Sequence, residues 1–250
     1  MAGPVAERSG RAVAEYCRLI NFTPKRIVTA GVGIRYPELD ALRREFPQMG
    51  VVGFEPNHET YEAVRLSFPG ILFNVALADI KDNHYEILWY GGRHRNGGSL
   101  IEPKSPDDYQ KVNVKCETLD SYGYLYRTAR GNEVHARPDL FWLDCEGSEL
   151  RALKGAAQYL DSRVGIVNVE LTSQPRTSGW CQPYEVDRFL RSHGFFHVMN
   201  HTLRTCICQV DAVYVHESMF NGDYCMIPSS IELWDRKQRA DEEDCEELCL

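Results

Sequence analysis

Short, nearly continuous apolar runs alternate along the chain with longer stretches whose apolar residues recur at helical spacing. The first kind reads as buried strand and the second as amphipathic helix. Val13, Tyr16, Cys17 and Ile20 predict a helix over Arg11–Asn21, ahead of a strand at Arg26–Ala30. There follow a helix at Pro37–Phe46, a strand at Gly50–Glu55, a helix at Glu59–Phe68 and a strand at Ile71–Ala76, a βαβαβ unit. Tyr85–Tyr90 and Lys111–Cys116 alternate polar with apolar residues, as half-buried strands do, and between them lies a loop rich in Gly, Arg and His. Asp139–Asp144 reads as a buried strand, Glu149–Leu160 as a helix, Val164–Leu171 as a strand, and Pro183–His193 as a helix stopped by Gly194. Phe195–Asn200 and Asp211–His216 follow with no helix between them, which suggests an antiparallel hairpin at a sheet edge. The alternation as a whole implies an α/β fold with a mostly parallel sheet and helices on both faces.

Composition narrows this picture only slightly. A chain of 250 residues that is 43% hydrophobic suffices for one sizeable core, and no Pro/Gly/Ser-rich linker divides it. The expected organisation is one domain over 1–235 and a solvated acidic tail over 236–250. A formal net charge of −8 disfavours an electrostatic grip on nucleic acid, and a small-molecule or neutral polymer substrate fits better. The nine cysteines are odd in number and lack CxxC spacing, which argues against a disulfide framework and a zinc site. No stretch approaches the roughly 18 apolar residues of a membrane span, and the N-terminus lacks a basic region followed by an apolar core. A soluble cytoplasmic protein is the resulting expectation.

The candidate chemistry lies at the ends of the predicted strands. After Arg26–Ala30 comes a turn carrying Gly31 and Gly33, and the next strand ends on Glu55. Glycines let the backbone turn sharply and approach a ligand, and a carboxylate can accept from both hydroxyls of a ribose, so the pair points to an adenosine-containing cofactor. Asp144 and Glu146 lie at the carboxyl end of the strand Asp139–Asp144, and Glu170 ends the run Gly165-Ile166-Val167-Asn168-Val169. If those strands are neighbours, the three carboxylates share a rim and could accept a proton or hold Mg²⁺. Glu149 reads equally as a helix-start residue favoured by the dipole. His94, in the Gly-rich loop, is a further base candidate because imidazole titrates near neutrality. His193, His197 and His201 read as ordinary turn and strand residues, without a metal-ligand spacing beside them.

Taken in order, Glu55-Pro56-Asn57, Val75-Ala76-Leu77-Ala78-Asp79, Thr118-Leu119-Asp120, Leu143-Asp144-Cys145-Glu146-Gly147-Ser148-Glu149, Leu153-Lys154-Gly155-Ala156 and Val169-Glu170-Leu171 resemble the successive motifs of the FkbM-type methyltransferases. The resemblance runs from about Ile27 to His216. It implies a class I methyltransferase (Rossmann-like) fold with a seven-stranded sheet, S-adenosylmethionine as cofactor, and O-methylation of a sugar, glycan or natural-product hydroxyl. It also implies that Pro56, Asn57, Ala76 and Asp144 join Gly31, Gly33 and Glu55 around the cofactor. The chain departs from the pattern at Thr29, where many members are acidic, at Gly33 and Arg35, where many have Asn and Gly, and at Trp142, where a Lys is frequent.

Asp144 and Glu146 are therefore the leading catalytic candidates, with His94 beside them, and no metal is assigned. Two other readings stay open. The turn-plus-acid pattern also serves nicotinamide dinucleotides, and a non-catalytic relative could keep the fold and bind a partner. Acceptor choice is expected to reside in the loops Gly91–Gln110 and Gln174–Gln182, where Trp180 could stack on a sugar or anchor its loop.

Overall fold

In the computed structural model, residues 3–80, 84–91, 94–125, 137, 139–172, 179–202 and 209–220 are described. Helix α1 (Gly3–Leu19) precedes β1 (Arg26–Ala30), α2 (Pro37–Glu45), β2 (Gly50–Phe54), α3 (His58–Val64) and β3 (Ile71–Phe73). Next come β4 (Ala76–Leu77), β5 (His84–Gly91), β6 (His94–Ser99) and β7 (Tyr109–Glu117). The chain continues through β8 (Asp139–Leu143), α4 (Glu149–Lys154), α5 (Ala157–Ser162), β9 (Val164–Thr172), α6 (Pro183–Ser192), β10 (Phe195–Thr202) and β11 (Gln209–His216).

A seven-stranded sheet runs in the order β10-β11-β9-β8-β1-β2-β3. All neighbouring pairs are parallel except those made by β11, which is antiparallel to both β9 and β10. The expected edge hairpin is thus present, and the chain order reverses on either side of β1 and β8. Such a reversal leaves a crevice outside the carboxyl ends of the strands, the place where open α/β sheets bind ligands. Period-two alternation divides the core in two. Val28, Phe141, Val167 and Tyr214 face α4, α5 and α6, whereas Ile27, Leu140, Ile166 and Val213 face α1, α2 and α3. Each of these buried side chains contributes roughly 1.5–3 kcal/mol of hydrophobic stabilisation.

Four sequence expectations are corrected. The strand expected at Ile71–Ala76 is split: Ile71–Phe73 closes the large sheet, while Ala76–Leu77 leaves it to pair with β7. The Gly-rich segment expected as a loop contributes β6, an edge strand of a second sheet ordered β4-β7-β5-β6. Backbone pairing suffices to form it, so no apolar alternation marks it. The helix expected at Glu149–Leu160 breaks at Gly155-Ala156, because Gly155 is pressed so close to the second sheet that a Cβ there would fall 2.0 Å from the Ala78 carbonyl oxygen. Asp120 then starts α5 from outside, accepting from the backbone N–H groups of Gln158 and Tyr159 at 3.0 Å each. Finally, α1 begins eight residues before the expected Arg11; at Ser9 and Gly10 it buries small residues, which leave no apolar signal.

Among the described residues no helix is long and apolar enough to cross a membrane. The tail at 236–250, Cys206 and Cys208 lie outside the described residues.

Candidate active site

At the carboxyl end of β1, Gly31 and Gly33 both take left-handed backbone angles, φ +79° and +66°. A Cβ at Gly31 would fall 1.7 Å from the Asp144 carbonyl oxygen, so the turn presses directly on the residue that follows β8. At Gly33 a Cβ would meet only the Arg35 carbonyl, at 3.9 Å, and the turn there borders open space. Glu55 follows β2, and its two carboxylate oxygens accept from the N–H groups of Gly33 and Asn57 at 2.8 Å each. Burial raises its pKa against the pull of those two hydrogen bonds. Each oxygen keeps a further lone pair for a ligand hydroxyl. Asn57 caps α3 by accepting from Glu59 and Thr60. Asn74, which the sequence did not single out, donates to the carbonyls of Glu55 and Pro56 at 2.8 and 3.0 Å and fixes this corner. Ala76 is buried in the core of the second sheet.

Asp144 extends β8 alongside β1 by donating its N–H to the Ala30 carbonyl at 3.0 Å. The next two residues turn through left-handed conformations, Glu146 at φ +48° and Gly147 at φ +97°. For Glu146 this costs on the order of 1–3 kcal/mol, and four hydrogen bonds hold the corner. Glu149 reaches back so that one carboxylate oxygen accepts from the N–H groups of Cys145 and Gly147, at 2.9 and 3.0 Å. Its other oxygen accepts from the Cys181 thiol at 3.3 Å. Ser99, at the end of β6, donates its hydroxyl to the Glu146 carbonyl at 2.7 Å, docking the second sheet onto the corner. Glu149 is therefore a corner-holding residue, buried at 2% exposure. Trp180 lies flat against Gly147, where a Cβ would meet the indole at 2.4 Å, and is only 8% exposed. That burial makes it the anchor of its loop.

Asp144 and Glu170 lie side by side on neighbouring parallel strands, one step beyond the paired Leu143 and Val169. Both residues are partly exposed. The pKa of each is pushed well above the usual carboxylate range, first by burial. Neighbouring carboxylates add to this, Glu146 and Asp211 acting on Asp144, and Asp144, Glu146 and Asp211 acting on Glu170. Glu170 also lines a small recess, open to solvent, with Gly147, Glu149, Leu171, Thr172, Trp180 and Cys181. The structure thus brings Gly31, Gly33, Glu55, Asp144, Glu146 and Glu170 to one edge of the sheet. His94 stands apart from them in chain terms, opening β6 opposite Gly91; its side chain lies outside the described residues. Among the described residues there is no group of three or more His, Cys, Asp or Glu arranged to hold a metal ion.

The departures noted in the sequence have structural counterparts. Trp142 is buried in the α1–α3 face of the core, in register with Thr29 and Asn168. Arg35 is exposed on the turn. His193 pairs with Asp161 at 2.6 Å and His197 with Asn200 at 2.6 Å, well-satisfied structural contacts.

No curated protein matches the chain in a sequence comparison. Among solved structures, the chain is similar to the plantazolicin methyltransferase BpumL in complex with S-adenosylhomocysteine, at 9% identity over 85% of each chain and a TM-score of 0.47. It is similar to magnesium protoporphyrin IX methyltransferase from Synechocystis PCC 6803 with bound S-adenosylmethionine, at 8% identity over 84% of this chain and 79% of that one, with a TM-score of 0.45. The N-terminal domain of EvdMO1, solved with S-adenosylhomocysteine and D-fucose, gives 12% identity, 85% and 82% coverage and a TM-score of 0.44. A family profile described as the methyltransferase FkbM domain matches residues 28–196, about two thirds of the sequence. With that match added to the strand order and the site built on it, the chain belongs to the FkbM methyltransferase family.

Proposed function

We propose that the chain is an S-adenosylmethionine-dependent O-methyltransferase acting on a hydroxyl of a sugar, glycan or natural product. The observation that carries this reading is the convergence of the Gly31–Gly33 turn, the Glu55 carboxylate and the Asp144–Gly147 corner on one sheet edge. The cofactor supplies a methyl carbon on a cationic sulfur, which keeps the bonding pair when the methyl leaves.

The residues present fit such a molecule. Glu55 has lone pairs free for the ribose hydroxyls, Gly33 offers open space, and Pro56, Asn57 and Ala76 lie on the segments that flank Glu55 and follow β3. Asp144 abuts the glycine turn through its backbone carbonyl, and its carboxylate is the group assigned to the sulfonium side. Glu146 and His94 remain candidates for contact with the acceptor. An acceptor hydroxyl is a weak nucleophile until a positioned group takes its proton, and such a group contributes about 10²–10⁴ in rate. Holding the two reacting atoms in line supplies much of the rest. Glu170 and Thr172 present polar groups at this edge that suit an oxygen acceptor.

The test is transfer of radiolabelled methyl from S-adenosylmethionine to a panel of monosaccharides, glycosides and polyols, with amines and activated carbon acceptors alongside. Wild-type protein should label at least one acceptor at oxygen. Asp144→Asn, which keeps shape and removes charge, should lower kcat by about 100-fold or more. Unchanged kcat in that variant removes Asp144 from the chemistry, and labelling confined to nitrogen or carbon acceptors overturns the O-methyltransferase reading.

A further inference from the structure

Three carboxylates stand side by side across the carboxyl edge of the large sheet. Leu143 on β8 is in register with Val169 on β9, so Asp144 and Glu170 lie one step beyond a paired position on neighbouring parallel strands. Glu170 is paired in turn with Asp211 on β11. Residues in register project from the same face of a sheet. Here that face is the one covered by α1 and α2, because Trp142, Ile166 and Val213, an even number of residues away along the same strands, all pack into that half of the core.

The three are not equivalent. Asp211 is tied down by Ser9 of α1, whose hydroxyl donates to it. Burial pushes its pKa up to about 6, while Ser9 and the neighbouring Asn168 hold it down. Asp144 and Glu170 have each other: they stand on neighbouring strands with their side chains on the same face, and two carboxyl groups so placed, shielded by protein, do not both ionise readily, so one keeps its proton. The charged groups acting on the pair from the corner, α4 and β11 are Glu146, Glu149 and Asp211, and Glu38 of α2 lies within reach of Asp211. All of them are carboxyls, and ionised they add negative charge, so they favour retention of the proton. The two partners also face different clients. The backbone of Asp144 touches the glycine turn, whereas Glu170 lines the recess beside Thr172 and Trp180.

We propose that Asp144 and Glu170 share a single proton in the unliganded protein, and that a cationic cofactor expels it and leaves the Glu170 carboxylate as base for the acceptor hydroxyl. This rests on the reading of the cofactor as S-adenosylmethionine. A positive charge beside Asp144 favours ionisation of the pair. Unliganded, the pair carries one negative charge and one proton; on binding, the proton passes to solvent and two negative charges face the sulfonium. Glu170 is then free to take the proton from an acceptor oxygen, and it returns to its starting state when the neutral thioether product replaces the cation. The base therefore exists only when the cofactor is in place.

The experiment is isothermal titration of S-adenosylmethionine into the full chain at about pH 7, in two buffers of different ionisation enthalpy, which reads the protons released per cofactor bound. Wild type should release close to one proton with S-adenosylmethionine and clearly less with S-adenosylhomocysteine, which lacks the sulfonium charge. Glu170→Gln should bind S-adenosylmethionine and release almost none. Thermal unfolding of the same sample verifies that this variant is folded, and the wild-type contrast between the two ligands decides the matter without it. Binding with no release in wild type, equal release for both ligands, or undiminished release in Glu170→Gln overturns the inference and leaves the proposed function standing. No binding of either ligand to folded wild type overturns the proposed function and the inference with it.

Discussion

Glu149 holds three groups at once, the N–H groups of Cys145 and Gly147 and the thiol of Cys181, and through them it fixes the residues between Asp144 and the start of α4. Its place in the first turn of a helix is readable from sequence, and so is its compatibility with the dipole. Its grip on Cys145 and Gly147 is not, because the bond exists only once Glu146 and Gly147 have turned through left-handed angles. Removing the carboxylate leaves two backbone donors unpaired in the interior, at about 1–3 kcal/mol for each such group. Glu149→Ala should therefore lose about 2–6 kcal/mol in urea unfolding, and Glu149→Gln, which keeps one acceptor oxygen, should lose clearly less. Equal stability of all three proteins would show that the corner holds itself. Glu170 was similarly half legible: the sequence places a carboxylate at a strand end, but only the register of β8 and β9 shows it beside Asp144.

The second sheet is the element the sequence described least well. β5 and β7 announce themselves by alternation, but β6 does not, and β4 hides inside what reads as one continuous strand. The motifs that flank these elements prove to be seams between the second sheet and the helices. Arg151 of α4 donates to both oxygens of Glu86 on β5 at 2.7 and 2.6 Å, and to Asp79 after β4 at 3.1 Å. Gly155 packs against the Ala78 carbonyl, and Asp120 caps α5. A bidentate, partly buried guanidinium pair is among the stronger polar contacts in a protein. Arg151→Met should cost about 1–3 kcal/mol and, by loosening the sheet that carries Ser99, should raise KM for the acceptor more than it changes cofactor affinity. A loss confined to stability, with acceptor KM unchanged, would mean that β6 is positioned by other contacts.

At the scale of the whole molecule, the alternation of strands and helices, the edge hairpin and the crevice were legible because each depends on local periodicity and chain order. The collection of buried carboxyl groups at the crevice was legible only in part, since Glu38, Glu170 and Asp211 come together through tertiary packing. Burial raises Glu38 to about 7 and Asp211 to about 6, above the ordinary carboxylate values they regain on unfolding. The folded state then binds more protons than the unfolded state over that interval, so these groups make stability fall as pH rises from about 4 to about 7. Ion-paired Glu86 works in the opposite direction, because Arg151 lowers its pKa. Urea unfolding of wild type and Asp211→Asn between about pH 5 and 7.5 should show the decline flattened in the variant; parallel curves would assign the decline elsewhere.

Glu55, joined to the glycine turn through Gly33, is the proposed ribose-binding end of the cofactor site, and the proposed methyl transfer requires it. Calorimetric titration of S-adenosylmethionine into wild type and Glu55→Gln tests this most directly, since the amide keeps the shape but presents a donor where the ribose hydroxyls need an acceptor. Wild type should bind saturably, and the variant, folded by thermal melting, should bind at least about tenfold more weakly, roughly 1.4 kcal/mol. Equal affinity in the two proteins would contradict the account.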